Sequence, residues 1–140
     1  MQSKKVDGGF ILRLLQGEEL LETLQKFCQE NNIKSGWLSG LGGATHAKLS
    51  YFDLEKKEYI TKEFEETLEV TNLTGNIGEI DGATVFHIHG TFGRTDYTSI
   101  AGHIDHLSVA ATLEVYLVPF IQGLTRKKDE EIGLPLLDLK

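Results

Sequence analysis

The chain has 140 residues, a net charge of −7 and a single cysteine, Cys28. This length is typical of one domain, and no stretch approaches the roughly 20 consecutive apolar residues of a membrane-spanning helix. The acidic charge argues against a broad basic face for nucleic acid, and one cysteine excludes an intramolecular disulfide. We therefore interpret residues 1–140 as one cytoplasmic domain, with about residues 1–8 as a candidate flexible segment.

The first half of the chain predicts a strand, a helix and two further strands. The segment Gly9–Leu15 has the composition of a strand, and from Glu18 to Asn31 the apolar residues recur at helical spacing. Strands are expected over Ile33–Leu41 and Ala44–Phe52. The glycine-rich residues 40–43 between them indicate a tight turn or a close backbone approach rather than a phosphate-binding loop, because no Gly-Lys-Ser/Thr follows.

The second half predicts antiparallel strands joined by turns. The polar run Asp53–Lys57 predicts a hairpin that returns as a strand over Glu58–Phe64. After a strand over Leu68–Ile77, the pair Asp81-Gly82 is a two-residue turn signal. A last strand with alternating apolar residues is expected over Ser108–Val118. The whole pattern predicts an α+β fold with a mostly antiparallel sheet of about seven strands and one main covering helix.

Three of the five histidines stand close together in the sequence: His87, His89 and His103. Side chains alternate along a strand, so His87 and His89 project from one face. The opposite face carries Phe86, Ile88 and Phe92. His103 can return to the pair if residues 91–101 make a tight reversal. Neutral imidazoles bind zinc and other divalent ions, and three protein ligands plus water form an open site.

Other readings of these residues stay open at this stage. Any one of the histidines is more simply explained as a polar surface or half-buried residue. We interpret His46 as incidental and His106 as a residue that caps a turn. Glu114 lies on the polar face of the last predicted strand. It is either a solvent-exposed carboxylate or, if that strand shares the facing of the histidines, a group that orients a ligand or transfers a proton.

An ordered series of motifs resembles the plant-and-prokaryote-conserved (PPC) domain family. In chain order these motifs are Gly17-Glu18-Glu19-Leu20, residues 33–42, Tyr51-Phe52-Asp53, residues 73–77, Asp81-Gly82, His87-Ile88-His89 and Gly102-His103. The resemblance spans roughly residues 10–137. The last motif is usually Gly-Gly-His in the family, and here Ala101 replaces the first glycine.

The resemblance implies several properties that composition and spacing do not. It implies an α+β fold, a homotrimer, and a metal, apparently zinc, held by the histidines at 87, 89 and 103. The fold is also similar to that of acetolactate decarboxylase, a zinc lyase with a comparable histidine pattern. Plant members carry the domain beside AT-hook segments, whose Arg-Gly-Arg core enters the minor groove of DNA. No such tripeptide occurs in this chain.

The leading hypothesis is a cytoplasmic homotrimer with a zinc or other divalent-metal site at His87, His89 and His103. If the site is catalytic, the substrate is a small carbonyl or carboxylate compound, and Glu114 is the candidate for proton transfer. Whether the protein is an enzyme stays open. The alternative is a DNA-associated regulatory protein without an AT-hook, and a third reading is an oligomeric scaffold.

Overall fold

The computed structural model describes all 140 residues, in one helix and nine strands. The helix α1 spans Leu20–Glu30. The strands are β1 Gln2–Val6, β2 Gly9–Leu15, β3 Gly36–Asp53, β4 Glu58–Phe64, β5 Leu68–Ile80, β6 Ala83–Gly93, β7 Ser99–Pro119, β8 Thr125–Lys128 and β9 Pro135–Asp138. The predicted α+β class with a mostly antiparallel sheet is confirmed. The helix is too short to cross a membrane.

Four strands close into a ring of backbone hydrogen bonds. The long strands β3 and β7 pair antiparallel along most of their length, from Gly36 opposite Pro119 to Ser50 opposite His103. On the other side, β3 pairs with β5, β5 with β6, and β6 returns to β7. Closure fixes the register of every strand in the ring. The histidine strand β6 is therefore held on both edges.

The ring and the helix share one apolar core of 23 buried side chains. Helix α1 contributes Leu20, Leu24, Phe27 and Cys28, which are the helical stripe that the sequence predicts. Glu19 caps the helix, because its carboxylate accepts the Glu22 N–H at 2.7 Å. Burial raises the pKa of the Cys28 thiol to about 12, so Cys28 is a packing residue and not a reactive thiol.

The expected break between two strands at residues 40–43 is wrong. β3 runs through these glycines without a turn, and its register slips against β5 between Gly40 and Gly42. A Cβ atom at Gly42 would lie 2.7 Å from the Cα atom of Leu113. The glycines therefore allow a bulge and a close approach to β7 within one continuous strand of 18 residues.

Both chain ends add strands that the sequence pattern did not reveal. Residues 2–6, within the candidate flexible segment, form β1 and pair with β2. At the other end, β8 and β9 form a hairpin, and Thr125 of β8 forms a parallel bridge with Glu79 of β5. These additions and the fusion of two predicted strands account for nine strands instead of about seven.

Candidate metal centre

The histidine strand leaves a tight turn with its two faces already defined. Asp81 and Gly82 have φ angles of 50° and 80°, the left-handed pair that a two-residue hairpin requires. This confirms the predicted turn. Ile88 and Phe92 are fully buried on the core side of β6. His87 and His89 consequently point away from the core.

A second hairpin brings the third histidine beside this pair. The turn after β6 is closed by a hydrogen bond from Arg94 N–H to the Thr98 carbonyl, 2.9 Å. In the resulting register His89 lies directly opposite His103. The predicted reversal therefore occurs, and it joins residues fourteen positions apart.

The three imidazoles form a compact set of nitrogen donors. Their candidate ligand nitrogens all lie within 4.8 Å of one another, and His87 Nε2 is 3.2 Å from His89 Nε2. Two nitrogens on one tetrahedral zinc ion, at about 2.0–2.1 Å each, are about 3.3 Å apart. His89 is exposed and His103 is half-buried, with its Nδ1 atom buried and without a hydrogen-bond partner. The donor set therefore fits a divalent metal with one side open.

The surroundings favour neutral imidazoles, which are the metal-binding form. Burial, and after it the nearby charges of Arg126, His89 and His103, together lower the pKa of His87 to about 4. Burial also lowers the pKa of His103, against an opposing effect of the Asp105 carboxylate. Protons therefore compete weakly for His87 and His103 near neutral pH.

We expect the metal-free protein to lose stability as the pH falls from 6.5 towards 4. An unfolded histidine takes up its proton near pH 6.5 whereas folded His87 does so near pH 4, so acid favours the unfolded chain in this interval. The contribution is fully present above pH 6.5 and, for this partly exposed side chain, amounts to about 1 kcal/mol. Urea denaturation at several pH values measures it. His87→Gln should flatten this part of the profile, and an unchanged profile would contradict the assignment.

Two residues that the sequence did not single out complete the walls of the site. Arg126, from β8, places Nη2 3.2 Å from His87 Nδ1 and 2.8 Å from the Asn76 side-chain oxygen. Tyr59, from β4, has its ring 5.9 Å from that of His103. Two cavities, of about 490 Å³ and about 200 Å³, both reach His87 and His103. Small molecules have access to the histidines from both.

Glu114 does not lie at the histidine cluster within one chain. It is exposed, stands opposite Arg13 and Leu41, and lines a separate cavity with Ile11 and Tyr116. It lies eleven positions along β7 from His103, and at about 3.3 Å per residue this places the two at distant parts of the strand. Its predicted facing is correct, because Leu113 and Val115 on either side are buried. The expected shared site is not formed within the chain.

Other charged and polar side chains close to the histidines in sequence or in the sheet have partners elsewhere. Arg94 pairs with Glu66 at 2.8 Å, and Asp96 accepts hydrogen bonds from Thr98 in the turn. His46 lies in a polar groove with Glu63 and His106. Its Nε2 atom is 3.5 Å from a Glu63 carboxylate oxygen. These groups take no part in the three-histidine cluster.

Solved structures show which proteins share this arrangement of the chain. A metal-containing protein from Archaeoglobus fulgidus is 34% identical, with a TM-score of 0.87 over 97% of this chain and 94% of that one. A protein from Bacteroides thetaiotaomicron, provisionally named as DNA-binding, is 31% identical, with a TM-score of 0.94 over 98% and 96% of the two chains.

A more distant likeness concerns the fold alone. Acetolactate decarboxylase from Bacillus subtilis is 12% identical, with a TM-score of 0.57 over 79% of this chain and 52% of that one. This confirms the expected kinship of fold. No curated protein matches the sequence.

The sequence also matches a family model directly. Residues 1–121 match the Plants and Prokaryotes Conserved (PCC) domain, which is the family that the motifs resemble. The match includes all three histidines and ends before β8 and β9. The chain belongs to the Plants and Prokaryotes Conserved domain family.

Proposed function

We propose that the protein binds one divalent metal ion, zinc in the first place, through His87, His89 and His103. The observation that carries the proposal is the convergence of three imidazoles, with candidate ligand nitrogens within 4.8 Å, on the open side of a rigid strand pair. The metal content of the Archaeoglobus relative, as its name gives it, supports the same reading.

The site would act on a small molecule. A bound zinc ion supplies Lewis acidity or lowers the pKa of a bound water. The chain itself supplies the three ligands, the Tyr59 hydroxyl and the Arg126 guanidinium around two cavities. The residues are consistent with activation of a small carbonyl or carboxylate compound, which is the class that the sequence suggested. The buried, single Cys28 fits the reducing conditions of the cytoplasm.

We also propose that the functional unit is a homotrimer. In addition to the family resemblance, one sheet face exposes four neighbouring apolar side chains, from β2, β3 and β7: Ile11, Trp37, Leu41 and Tyr116. Such a face is typical of a subunit interface. Glu114 stands within this face. Its proposed proton-transfer role therefore requires that assembly bring it to the histidines of a neighbouring chain.

Metal analysis of the purified protein tests the metal site. We expect about one equivalent of metal per chain after purification without chelators. His87→Ala and His89→Ala should each lower the affinity by more than about 100-fold, because they remove a ligand itself and not a supporting group. His106→Ala is the matched control, since His106 is a histidine of the same sheet that lies outside the cluster and outside the second group that could hold a metal, His46 with Glu63 and Glu65.

Two results would contradict the metal site. One is an unmodified protein without stoichiometric metal, and the other is a His106→Ala variant that loses metal as completely as His87→Ala.

The DNA-associated alternative rests on the provisional name of the Bacteroides relative. The net charge of −7 does not favour it, because DNA binding depends on neutralising phosphates.

A further inference from the structure

Arg126 is a half-buried cation without a carboxylate partner. Its Nη2 atom donates to the Asn76 side-chain oxygen and its Nη1 atom to the Pro135 carbonyl, each at 2.8 Å, and its Nε atom has no hydrogen-bond partner. Arg94, in contrast, pairs with the carboxylate of Glu66. A guanidinium has five N–H donors, and the protein supplies Arg126 with neutral acceptors only. Its charge is thus uncompensated within the chain.

The position of the Arg126 guanidinium also favours binding of an anion. Arg126 Nη2 lies 3.2 Å from His87 Nδ1. A neutral imidazole that binds a metal through Nε2 carries its proton on Nδ1. Two N–H donors would then face each other, and the guanidinium would need another acceptor. A carboxylate accepts hydrogen bonds from both donors and also compensates the positive charge of the guanidinium.

The smaller cavity beside Arg126 indicates what else the ligand contains. Its volume is about 200 Å³, and His87, His103, Tyr59 and Arg126 form its polar side. The rest of the lining is apolar: Ile80, Val85, Phe86, Leu134, Pro135 and Leu136. An inorganic anion would leave this apolar lining without contact. A short hydrocarbon chain attached to the anionic group would fill it.

We propose that Arg126 binds the carboxylate of a small organic acid whose short apolar part occupies the cavity lined by Leu134 and Leu136. This deepens the proposed metal-site function by naming the ligand class, and it rests on that function for the role of the three histidines. The β8–β9 hairpin, which lies beyond the residues of the family match, would then take part in ligand selection. Arg126 is a binding residue in this proposal.

Calorimetric titration of simple acids tests the proposal without any assay of activity. We expect butanoate to bind both the metal-loaded and the metal-free protein, with acetate weaker because it leaves the apolar lining unfilled. Butanamide and inorganic phosphate should bind at least about tenfold more weakly than butanoate, since each lacks one of the two recognised parts.

Substitutions separate recognition from folding. Arg126→Met should weaken butanoate binding by at least about tenfold, and Arg126→Lys should retain part of it, because lysine keeps the charge without the planar pair of donors. Arg94→Met is the matched control and should bind as the unmodified protein does. Thermal unfolding and metal content of each variant report whether the fold and the histidine site are intact.

The binding results separate the proposed Arg126 carboxylate site from its alternatives. Equal butanoate binding by Arg126→Met and the unmodified protein would overturn the proposal, as would absence of butanoate binding in both metal states. Phosphate binding as tight as butanoate binding would replace the organic acid by an unselective anion site. Arg126-dependent butanoate binding in a protein that fails to take up a divalent metal when one is supplied would support the carboxylate site while refuting the proposed metal function.

Discussion

Replacing Gly75 by alanine is expected to lower the free energy of unfolding by about 3 kcal/mol and to disrupt metal binding. Gly75 of β5 pairs with Ile88 of β6, and Ile88 is the residue between His87 and His89. An added Cβ atom would lie 2.8 Å from the Cα atom of Ile88 and closer still to the His87 carbonyl oxygen. Both obstacles are backbone atoms, so β6 itself would have to move away and would carry the two histidines with it.

Urea denaturation and metal analysis of the same sample measure both effects. Gly123→Ala is the matched control, because a Cβ atom there meets no heavy atom within 4 Å. We expect its stability to change by less than about 0.5 kcal/mol. A Gly75→Ala protein with unchanged stability and full metal content would show that β5 and β6 do not require this close approach.

Much of the fold could be predicted because each pattern has a local physical cause. The apolar spacing of residues 18–31 predicts α1, and Asp81-Gly82 predicts the hairpin that leads into β6. The break expected at the glycines of residues 40–43 was wrong because glycine is compatible with bulges as well as with turns. Only the long pairing of β3 with β7 decides between the two, and a single stretch of sequence carries no information about that partner.

Of the candidate site, too, one part could be predicted from the sequence and another could not. His87 and His89 share a face by strand alternation, and the turn after β6 places His103 opposite. Arg126 stands in a basic run followed by acidic residues, which had the pattern of a solvent-exposed turn. The pairing of β8 with β5 brings it to the histidines, and nothing in its local sequence signals that contact.

Leu41→Asp is expected to convert the proposed trimer into monomers. Leu41 is 58% exposed, and it stands beside Glu114 in the sheet register. In a covered interface, an aspartate at this position would bring a second carboxylate next to Glu114 and away from water. Burial of two like charges costs several kcal/mol for each subunit contact, enough to separate the subunits at micromolar concentration. Sedimentation velocity measures the change.

Tyr51→Asp serves as the control, because Tyr51 is 71% exposed at the other end of β3. It should leave the trimer intact. Dissociation by Tyr51→Asp and not by Leu41→Asp would move the interface to that end, and an unmodified protein that sediments as a monomer would refute the trimer.

Metal content of the Leu41→Asp protein separates assembly from metal binding. All three histidines belong to β6 and β7 of one chain, so the monomer should hold its metal as the unmodified protein does. Glu114 differs, because it reaches no histidine of its own chain. If Glu114 transfers protons in a neighbouring site, Leu41→Asp and Glu114→Gln will each abolish turnover of the small carbonyl or carboxylate substrate while the metal remains bound. Retained turnover in a metal-loaded monomer would exclude Glu114 from the reaction.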